Sequence, residues 1–305
     1  MKVLMISGDV RMLEPGSDAA KRLALQKSAV DQLDVFVWPG VHSALGVLRA
    51  VRGCDVVTTQ DPFWRGLLGF VAARTSGARL NVQVHADLAG QPLWRAWLAQ
   101  FVLKQADSVR VVSERVRRAL PPTKAQVSVL PIYIDLAPFG NIVRRPHPQF
   151  AKTILWIGRF EAEKDPLQAL VILDSVRRAG VDAGLCMLGE GSLEETLRAQ
   201  ARRAELPVEF PGWQQPGDFL AMADVVLSTS KHESYGASII EALTAGVPVV
   251  SLDVGVAKEA GAIVVPQNQL KEAVLEVLRG GGVGVLKLSL PSAEVWAQEW
   301  KKTLQ

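Results

Sequence analysis

The chain has 305 residues, with 34 basic and 31 acidic side chains for a net charge of +3, and 49% hydrophobic content. That length allows two domains of ordinary size with filled cores, and the near-balanced charge supplies no basic field of the kind a nucleic-acid partner requires. The two cysteines, Cys54 and Cys186, stand far apart in apolar contexts without metal-ligand spacing, and no apolar run reaches bilayer-spanning length, so a soluble α/β enzyme in a reducing, cytoplasmic setting is the expectation.

The opening residues Met1-Lys-Val-Leu-Met-Ile-Ser-Gly8 read as a first strand and not as a secretory leader, because the short apolar run has no small-residue cleavage site. Strands are expected at 2–6, 34–38, 55–59, 80–85, 108–112 and 126–130, mostly as continuous Val/Ile/Leu runs suited to parallel strands covered on both faces. Helical patterns lie between them, as at 18–33 and 64–75. The aperiodic stretch 136–152, with Pro138, Gly140, Pro146, Pro148 and the pair Arg144-Arg145, breaks the alternation. We therefore expect a first domain over 1–138, a linker over 139–152 and a second domain over 153–290. In the second domain strands are expected at 153–157, 183–188, 208–210, 225–228, 247–251 and 262–265, and Ser192-Leu-Glu-Glu195 reads as a capping box opening a helix to about residue 204. Gly280-Gly-Gly-Val-Gly284 interrupts the pattern, and 291–305 is helical, with Trp296 and Trp300 on one face. The fold class is α/β: two Rossmann-like, doubly wound domains whose strand C-termini face a cleft.

Two segments stand out chemically. In the first, Gly236 separates a loop carrying Glu233 from a helix starting at Ala237 and carrying Glu241, while Gly246 and Pro248 end that helix. Both carboxylates then flank a helix N-terminus, where free N–H groups and the dipole favour an anion. On spacing alone, two solvated surface acids fit equally well. In the second, a strand runs into Gly158, followed by Arg159 and Lys164 just before Pro166, which starts a helix. Two cations at a strand-to-helix junction suit a phosphate, although Arg159 paired with Glu161 or Glu163 on a solvated loop is the plain alternative.

The order and spacing of Gly158-Arg159 through Lys164-Asp165, Leu188-Gly-Glu-Gly191, Phe210-Pro-Gly-Trp213, Ala223-Asp-Val-Val-Leu-Ser228 and Glu233 through Pro248 resemble the GT-B retaining glycosyltransferases often called family 4 or group 1. The resemblance covers about residues 150–268 and extends weakly into the first half through Gln60-Asp-Pro-Phe63, Val84-His85-Ala-Asp87, the stretch 106–113 and Pro131-Ile-Tyr-Ile-Asp135. It implies transfer of a sugar from a nucleotide-diphosphate sugar to an acceptor hydroxyl, with retention, no cofactor and no metal. Arg159 and Lys164 are implied to bind the diphosphate and stabilise its leaving charge, Glu241 to hold the ribose hydroxyls, and Glu233 the donor sugar. Gly158 and the amides of Ser234, Tyr235, Gly236, Ala237 and Ser238 are implied to face the phosphates, and Trp213 to lie beside the base. His85 is the implied residue near the transferred sugar, though a strand-end core histidine is its ordinary reading. Gly8, Asp61 and Asp87 are candidates on the acceptor side, and Asp107 reads as structural. The C-terminal helix is implied to return to the first domain.

Three features depart from the family. The first loop has only isolated glycines at Gly8 and Gly16, Ser234 and Tyr235 stand where Gly and Phe are common, and the first domain is short. Competing expectations are a GT-B-like epimerase or phosphorylase, or a nucleotide-sugar-binding module without transferase activity. The acceptor is expected to be a glycan or a lipid-linked group. The stretch Pro92 to Lys104, with Trp94, Arg95, Trp97 and Phe101, reads either as a helix packed on the first sheet or as a peripheral contact with the inner face of a membrane.

Overall fold

Apolar runs of β-branched and leucine side chains make the central strands of two parallel sheets, each belonging to a separate unit. The computed structural model describes residues 1–85, 88 and 91–305; one unit comprises Met1–Ile134 with Leu290–Gln305, the other Asp135–Ser289. In the first unit β1 (Lys2–Ser7), α1 (Asp18–Ala29), β2 (Gln32–Val37), α2 (Ala44–Ala50), β3 (Val56–Thr59), α3 (Trp64–Ser76), β4 (Arg79–Val84), α4 (Leu93–Gln105), β5 (Ser108–Val111), α5 (Glu114–Arg118) and β6 (Gln126–Val129) alternate along the chain. The strands lie in the order β2-β1-β3-β4-β5-β6, so the chain changes its direction of travel across the sheet between β1 and β3. Val3 to Ile6 are fully buried, as a strand covered by helices on both faces must be.

Helix α1 stops four residues short of the expected 33. Val30 is extended, and Gln32 and Leu33 pair with Lys2 and Val3, so sheet pairing captures the apolar residues that continued the helical pattern. A polar layer crosses the core behind the strand ends. Thr58 Oγ1 donates to Asn81 Oδ1 at 2.7 Å, Asn81 Nδ2 donates to Ser108 Oγ at 2.9 Å, Gln83 Nε2 donates to Thr58 Oγ1 at 2.8 Å, and Arg110 Nη1 donates to Gln83 Oε1 at 2.6 Å. Every member is buried and partnered, which makes such a layer tolerable inside an apolar sheet. Asp107 accepts the Leu80 N–H at 2.7 Å, a structural tie between β4 and the start of β5.

The second unit contains β7 (Lys152–Ile157), α6 (Pro166–Arg178), β8 (Ala183–Leu188), α7 (Glu194–Arg203), β9 (Val208–Gly212), α8 (Gly217–Met222), β10 (Val225–Ser228), α9 (Ala237–Thr244), β11 (Val249–Ser251), α10 (Ala257–Ala260), β12 (Ile263–Val264) and α11 (Leu270–Gly280). Its strand order is β12-β11-β10-β7-β8-β9. The expected linker 139–152 differs from what the structure shows: this stretch is held within the second unit. Arg145 N donates to Ala221 O at 2.9 Å, and His147 stacks on Phe150, against whose ring Gly184 packs so closely that a Cβ would lie 2.3 Å away. The prolines remove helix and strand without detaching the segment. The expected capping box at Ser192 is also absent. The Ser192 hydroxyl and N–H are taken by Glu161, at 2.7 and 3.0 Å, and α7 begins at Glu194 without a side-chain cap.

The last helix, α12 (Ala293–Lys302), packs in the first unit, where Trp296, Trp300 and Leu304 join Val3, Met5 and Leu23 in one core cluster. Trp296 Nε1 donates to Pro131 O at 2.8 Å, and Asn81 Nδ2 reaches Thr303 O at 2.8 Å.

Candidate active site

In the second unit β7 and β10 are neighbours, with β8 and β9 on one side and β11 and β12 on the other. Ligands of open parallel sheets bind in the crevice beyond the strand ends at such a reversal. The loop leaving β7 carries Gly158, Arg159 and Lys164; the loop leaving β10 carries Glu233.

These loops are joined to each other. Lys164 Nζ donates to Glu233 Oε1 at 2.5 Å, with the two side chains 16% and 18% exposed. The Thr229 hydroxyl lies 2.9 Å from Lys164 O and 2.8 Å from Asp165 O, and accepts from Trp156 Nε1 at 2.9 Å. Lys231 N donates to Glu163 O at 2.9 Å, and Lys231 Nζ lies 2.9 Å from Asp165 Oδ2. Asp165, at φ 47°, sits in the left-handed region, and these partners hold it there immediately before Pro166 opens α6. Thr229 and Lys231 therefore position the lysine loop. Their sequence signal is weak, because a threonine and a lysine after a strand are ordinary loop residues.

Arg159 extends outward, 65% exposed, with Nη2 at 2.7 Å from Glu163 Oε1. Of the two acids open to it in the sequence, Glu163 is its partner. Glu161 is occupied by Ser192, whose N–H and hydroxyl hold the Glu161 carboxyl below its ordinary range. The loop Gly189-Glu-Gly191 presses against the same junction: a Cβ on Gly189 would stand 1.8 Å from Gly158 O. Glu190 Oε1 accepts the Trp213 N–H at 3.3 Å, which ties that loop to the half-exposed Trp213.

Gly236, at φ 97°, turns the chain into α9, and no side chain caps the first turn of that helix. Ala237 and Ser238 are its first two residues, and Glu241 lies one turn in, partly exposed. Tyr235 is buried, its phenol pushed up to about 12 by burial, and its carbonyl accepts the Val256 N–H at 2.9 Å. Gly255 makes that approach feasible, since a Cβ there would fall 2.3 Å from Tyr235 O. Ser234 is partly buried in the same turn.

In the first unit His85 follows β4, as expected for a residue at the strand's C-terminal edge. Burial, with the Arg110 and Arg22 charges, pushes its imidazole down to about 3, so it is neutral at physiological pH. Gly8 and Asp61 follow β1 and β3, the strands at the reversal of this sheet. Asp61 is committed within the fold: Oδ1 accepts the Phe63 N–H at 2.8 Å, and Oδ2 pairs with Arg65, whose guanidinium covers Gly8. Asp87 lies outside the described residues. Arg110, which sequence reasoning did not single out, was signalled by a charge at the centre of the apolar strand Ser108-Val-Arg-Val111.

Residues 151–280 match the family model "Glycosyl transferases group 1". A glycogen synthase of Mycobacterium tuberculosis is 30% identical over 268 residues, covering 84% of this chain and 58% of that protein. An alpha-monoglucosyldiacylglycerol synthase of Streptococcus pneumoniae is 28% identical over 278 residues, covering 80% and 63% respectively. The chain thus spans less than two thirds of the length of either relative. Among solved structures, Anabaena HepE in complex with UDP and glucose superposes with a TM-score of 0.73 at 15% identity, covering 100% of this chain and 95% of that one. Sucrose-phosphate synthase from Thermosynechococcus elongatus gives 0.72 at 16%, covering 100% and 94%. With two parallel six-stranded sheets of this order and the family match over residues 151–280, the chain belongs to the group 1 glycosyltransferases, on the GT-B fold.

Proposed function

We propose that the protein is a retaining glycosyltransferase that moves a sugar from a nucleoside-diphosphate sugar to an acceptor hydroxyl, in glycan or glycolipid synthesis. The observation that carries this reading is the junction of the β7 and β10 loops at the strand reversal, with Lys164 on Glu233 directly before the uncapped first turn of α9. The diphosphate lies on that turn, where amides and helix dipole favour an anion, and Lys164 and Arg159 neutralise it in place of a metal. On binding, Lys164 divides its three N–H donors between Glu233 and the phosphate. Glu233 takes hydroxyls of the donor sugar, Glu241 those of the ribose, and Trp213 flanks the base. The acceptor oxygen bonds to the anomeric carbon on the face the nucleotide leaves, while the bond to the phosphate oxygen breaks. The departing phosphate accepts the acceptor's proton, so no enzymic nucleophile is needed and configuration is kept.

A panel of UDP-, GDP- and ADP-sugars in thermal shift identifies the donor, because a ligand that binds only the folded state raises its stability. Release of nucleoside diphosphate with an α-linked product from an α-linked donor supports the reading. An inverted product refutes retention, and donor binding without transfer or hydrolysis makes the protein a binding module.

Membrane contact is the second part of the proposal. Helix α4 buries Leu98, Ala99, Val102 and Leu103 on one face and leaves Leu93, Trp94 and Trp97 exposed on the other, with Trp94 beside the exposed Trp64 at 6.4 Å between ring centroids. Arg95 lies over the Phe63 ring at 4.1 Å. Among the described residues no helix is long and apolar enough to cross a membrane, so this aromatic-basic face would lie in the interface, at the inner face in the cytoplasmic setting we propose. Liposome co-sedimentation lost in Trp94→Ser/Trp97→Ser supports it; equal sedimentation of both proteins refutes it.

A further inference from the structure

Beyond the C-terminal ends of β1, β3, β4 and β5, the first unit encloses a pocket of about 70 Å³ whose lining includes Arg22, Gln26, Gln60, His85, Arg110 and Trp296. We infer that this pocket holds the acceptor, and that the acceptor carries a phosphoryl group next to a free hydroxyl. The inference rests on the transferase reading above and adds the acceptor's chemical class.

Four observations converge on it. No hydrogen bond or ion pair joins Arg22 to a described residue, although burial pushes its guanidinium down from the ordinary arginine range. The second cation, Arg110, is fully buried, and three of its five N–H groups are fixed on Leu130 O, Gln83 Oε1 and Pro131 O, at 3.1, 2.6 and 2.8 Å. Its charge lies 5.4 Å from the Trp296 ring and faces no described carboxylate partner. Asp9, the one acid in the lining, is occupied by Arg11, at 3.1 Å through Nε and 3.3 Å through Nη2. Among the described residues no carboxylate is paired with Arg22 or Arg110, although the Asp18 and Asp9 charges act on Arg22 from nearby, so the described lining carries two cations against Asp9 alone.

The remaining polar atoms ask for a hydroxyl. Gln26 Oε1 and His85 Nε2 are buried without a hydrogen-bond partner among the described residues, and Gln26 itself is 4% exposed. Buried polar atoms are almost always satisfied, so an orphaned pair lining one cavity marks atoms left for a ligand. A hydroxyl that donates its one proton to Gln26 Oε1 can accept from His85 in the tautomer that carries the proton on Nε2. Among the described residues Gln60 Nε2 is met only by the weakly accepting sulfurs of Met5 and Met12, at 3.6 and 3.8 Å, and can turn to an anion. The guanidinium fork of Arg22 matches a phosphate geometrically.

Thermal shift and titration calorimetry with glycerol 3-phosphate, against glycerol as the uncharged control, test the site in wild type, Arg22→Gln, Arg22→Lys and Lys164→Ala. Glycerol 3-phosphate is expected to bind wild type and Lys164→Ala alike, to bind Arg22→Gln about 10- to 100-fold more weakly, and to be partly restored in Arg22→Lys. Binding confined to phosphatidylcholine vesicles doped with phosphatidylglycerol, and lost in Arg22→Gln, upholds the pocket with the phosphoryl group on a lipid headgroup instead of a soluble acceptor. Absence of binding in both arms, or binding unchanged in Arg22→Gln, overturns it. Protection by the nucleoside diphosphate that the donor panel identifies is read on the same proteins. Its loss in Lys164→Ala and retention in Arg22→Gln keeps the donor reading standing, whichever way the acceptor result falls.

Discussion

Replacing Lys164 by methionine separates two roles that one geometry superimposes. The Nζ–Oε1 contact of 2.5 Å, with both side chains more than four-fifths buried, lies between a surface ion pair and a core one. Two unit charges about 4 Å apart attract by about 4 kcal/mol at an effective dielectric of 20, and much of this is offset by the desolvation both groups already bear. Exposed pairs are worth about 0–1 kcal/mol and broken buried pairs cost about 3–5, so Lys164→Met is expected to cost about 1–3 kcal/mol of stability. Glu233→Gln added to it removes the stranded charge and returns most of that loss. Turnover behaves differently under the proposed mechanism, because a donor aimed at developing charge contributes about 100- to 1,000-fold that no change at Glu233 restores. Urea melts and nucleoside diphosphate release, measured on both single variants and the double, close the cycle. Turnover of Lys164→Met within about threefold of wild type, under 1 kcal/mol of barrier, alongside a measurable stability coupling, would refute the catalytic role and leave Lys164 as a structural partner of Glu233.

Arg159→Ala breaks an exposed i,i+4 pair worth only about 0.3–0.5 kcal/mol, so its melting curve should barely move while turnover falls about 100-fold; normal turnover removes Arg159 from the site. His85 has a folded-state value of about 3 against an ordinary 6.5, so below pH 6.5 the unfolded chain binds a proton that the folded one refuses. Stability should therefore fall as pH is lowered from 6.5 toward 3, by up to about 1.4 kcal/mol per unit, and His85→Asn should flatten that slope relative to wild type; an unchanged slope refutes it. Gly255→Ala places a Cβ 2.3 Å from Tyr235 O at φ 52°, and is expected to weaken protection by the nucleoside diphosphate of the proposed donor more than it lowers the melting temperature of the free protein. Equal protection by that nucleotide in the variant would show that the Glu233 turn tolerates the shift. Trp296→Ala removes a fully buried ring from the core of the first unit and should cost about 3–5 kcal/mol in denaturant unfolding; a loss under 1 would mean α12 is not integral to that core.

Most of the strands were legible because both faces of a parallel sheet are buried, which writes each central strand as an unbroken apolar run. The expected 183–188 and 225–228 are the observed β8 and β10 to the residue. Helix ends were less legible: Leu33 continues the pattern of α1 but pairs in β2, and Ser192 fits a capping box yet bonds Glu161, a residue 31 positions earlier. Local chemistry offers these residues two partners of comparable strength, and only the packed chain selects one. Arg22 and Gln26 were illegible for a related reason. On α1 they read as an ordinary polar helix face, and their burial depends on Arg110, His85 and Trp296 arriving from distant positions.

By itself the sequence determined the alternation of strands and helices, the glycine and proline stops around α9, and the placing of two cations after β7 and two carboxylates around α9. Each depends on residue type and short spacing, which act before the chain is compact. Tertiary structure decided which acid holds which cation, Glu163 for Arg159 and Glu233 for Lys164, and gave Glu161 to the Ser192 hydroxyl. It also decided that two arginines and two orphaned polar atoms share one pocket. Charge pairing over tens of residues is set by strand order, because neighbouring strands bring together loops that the chain holds far apart.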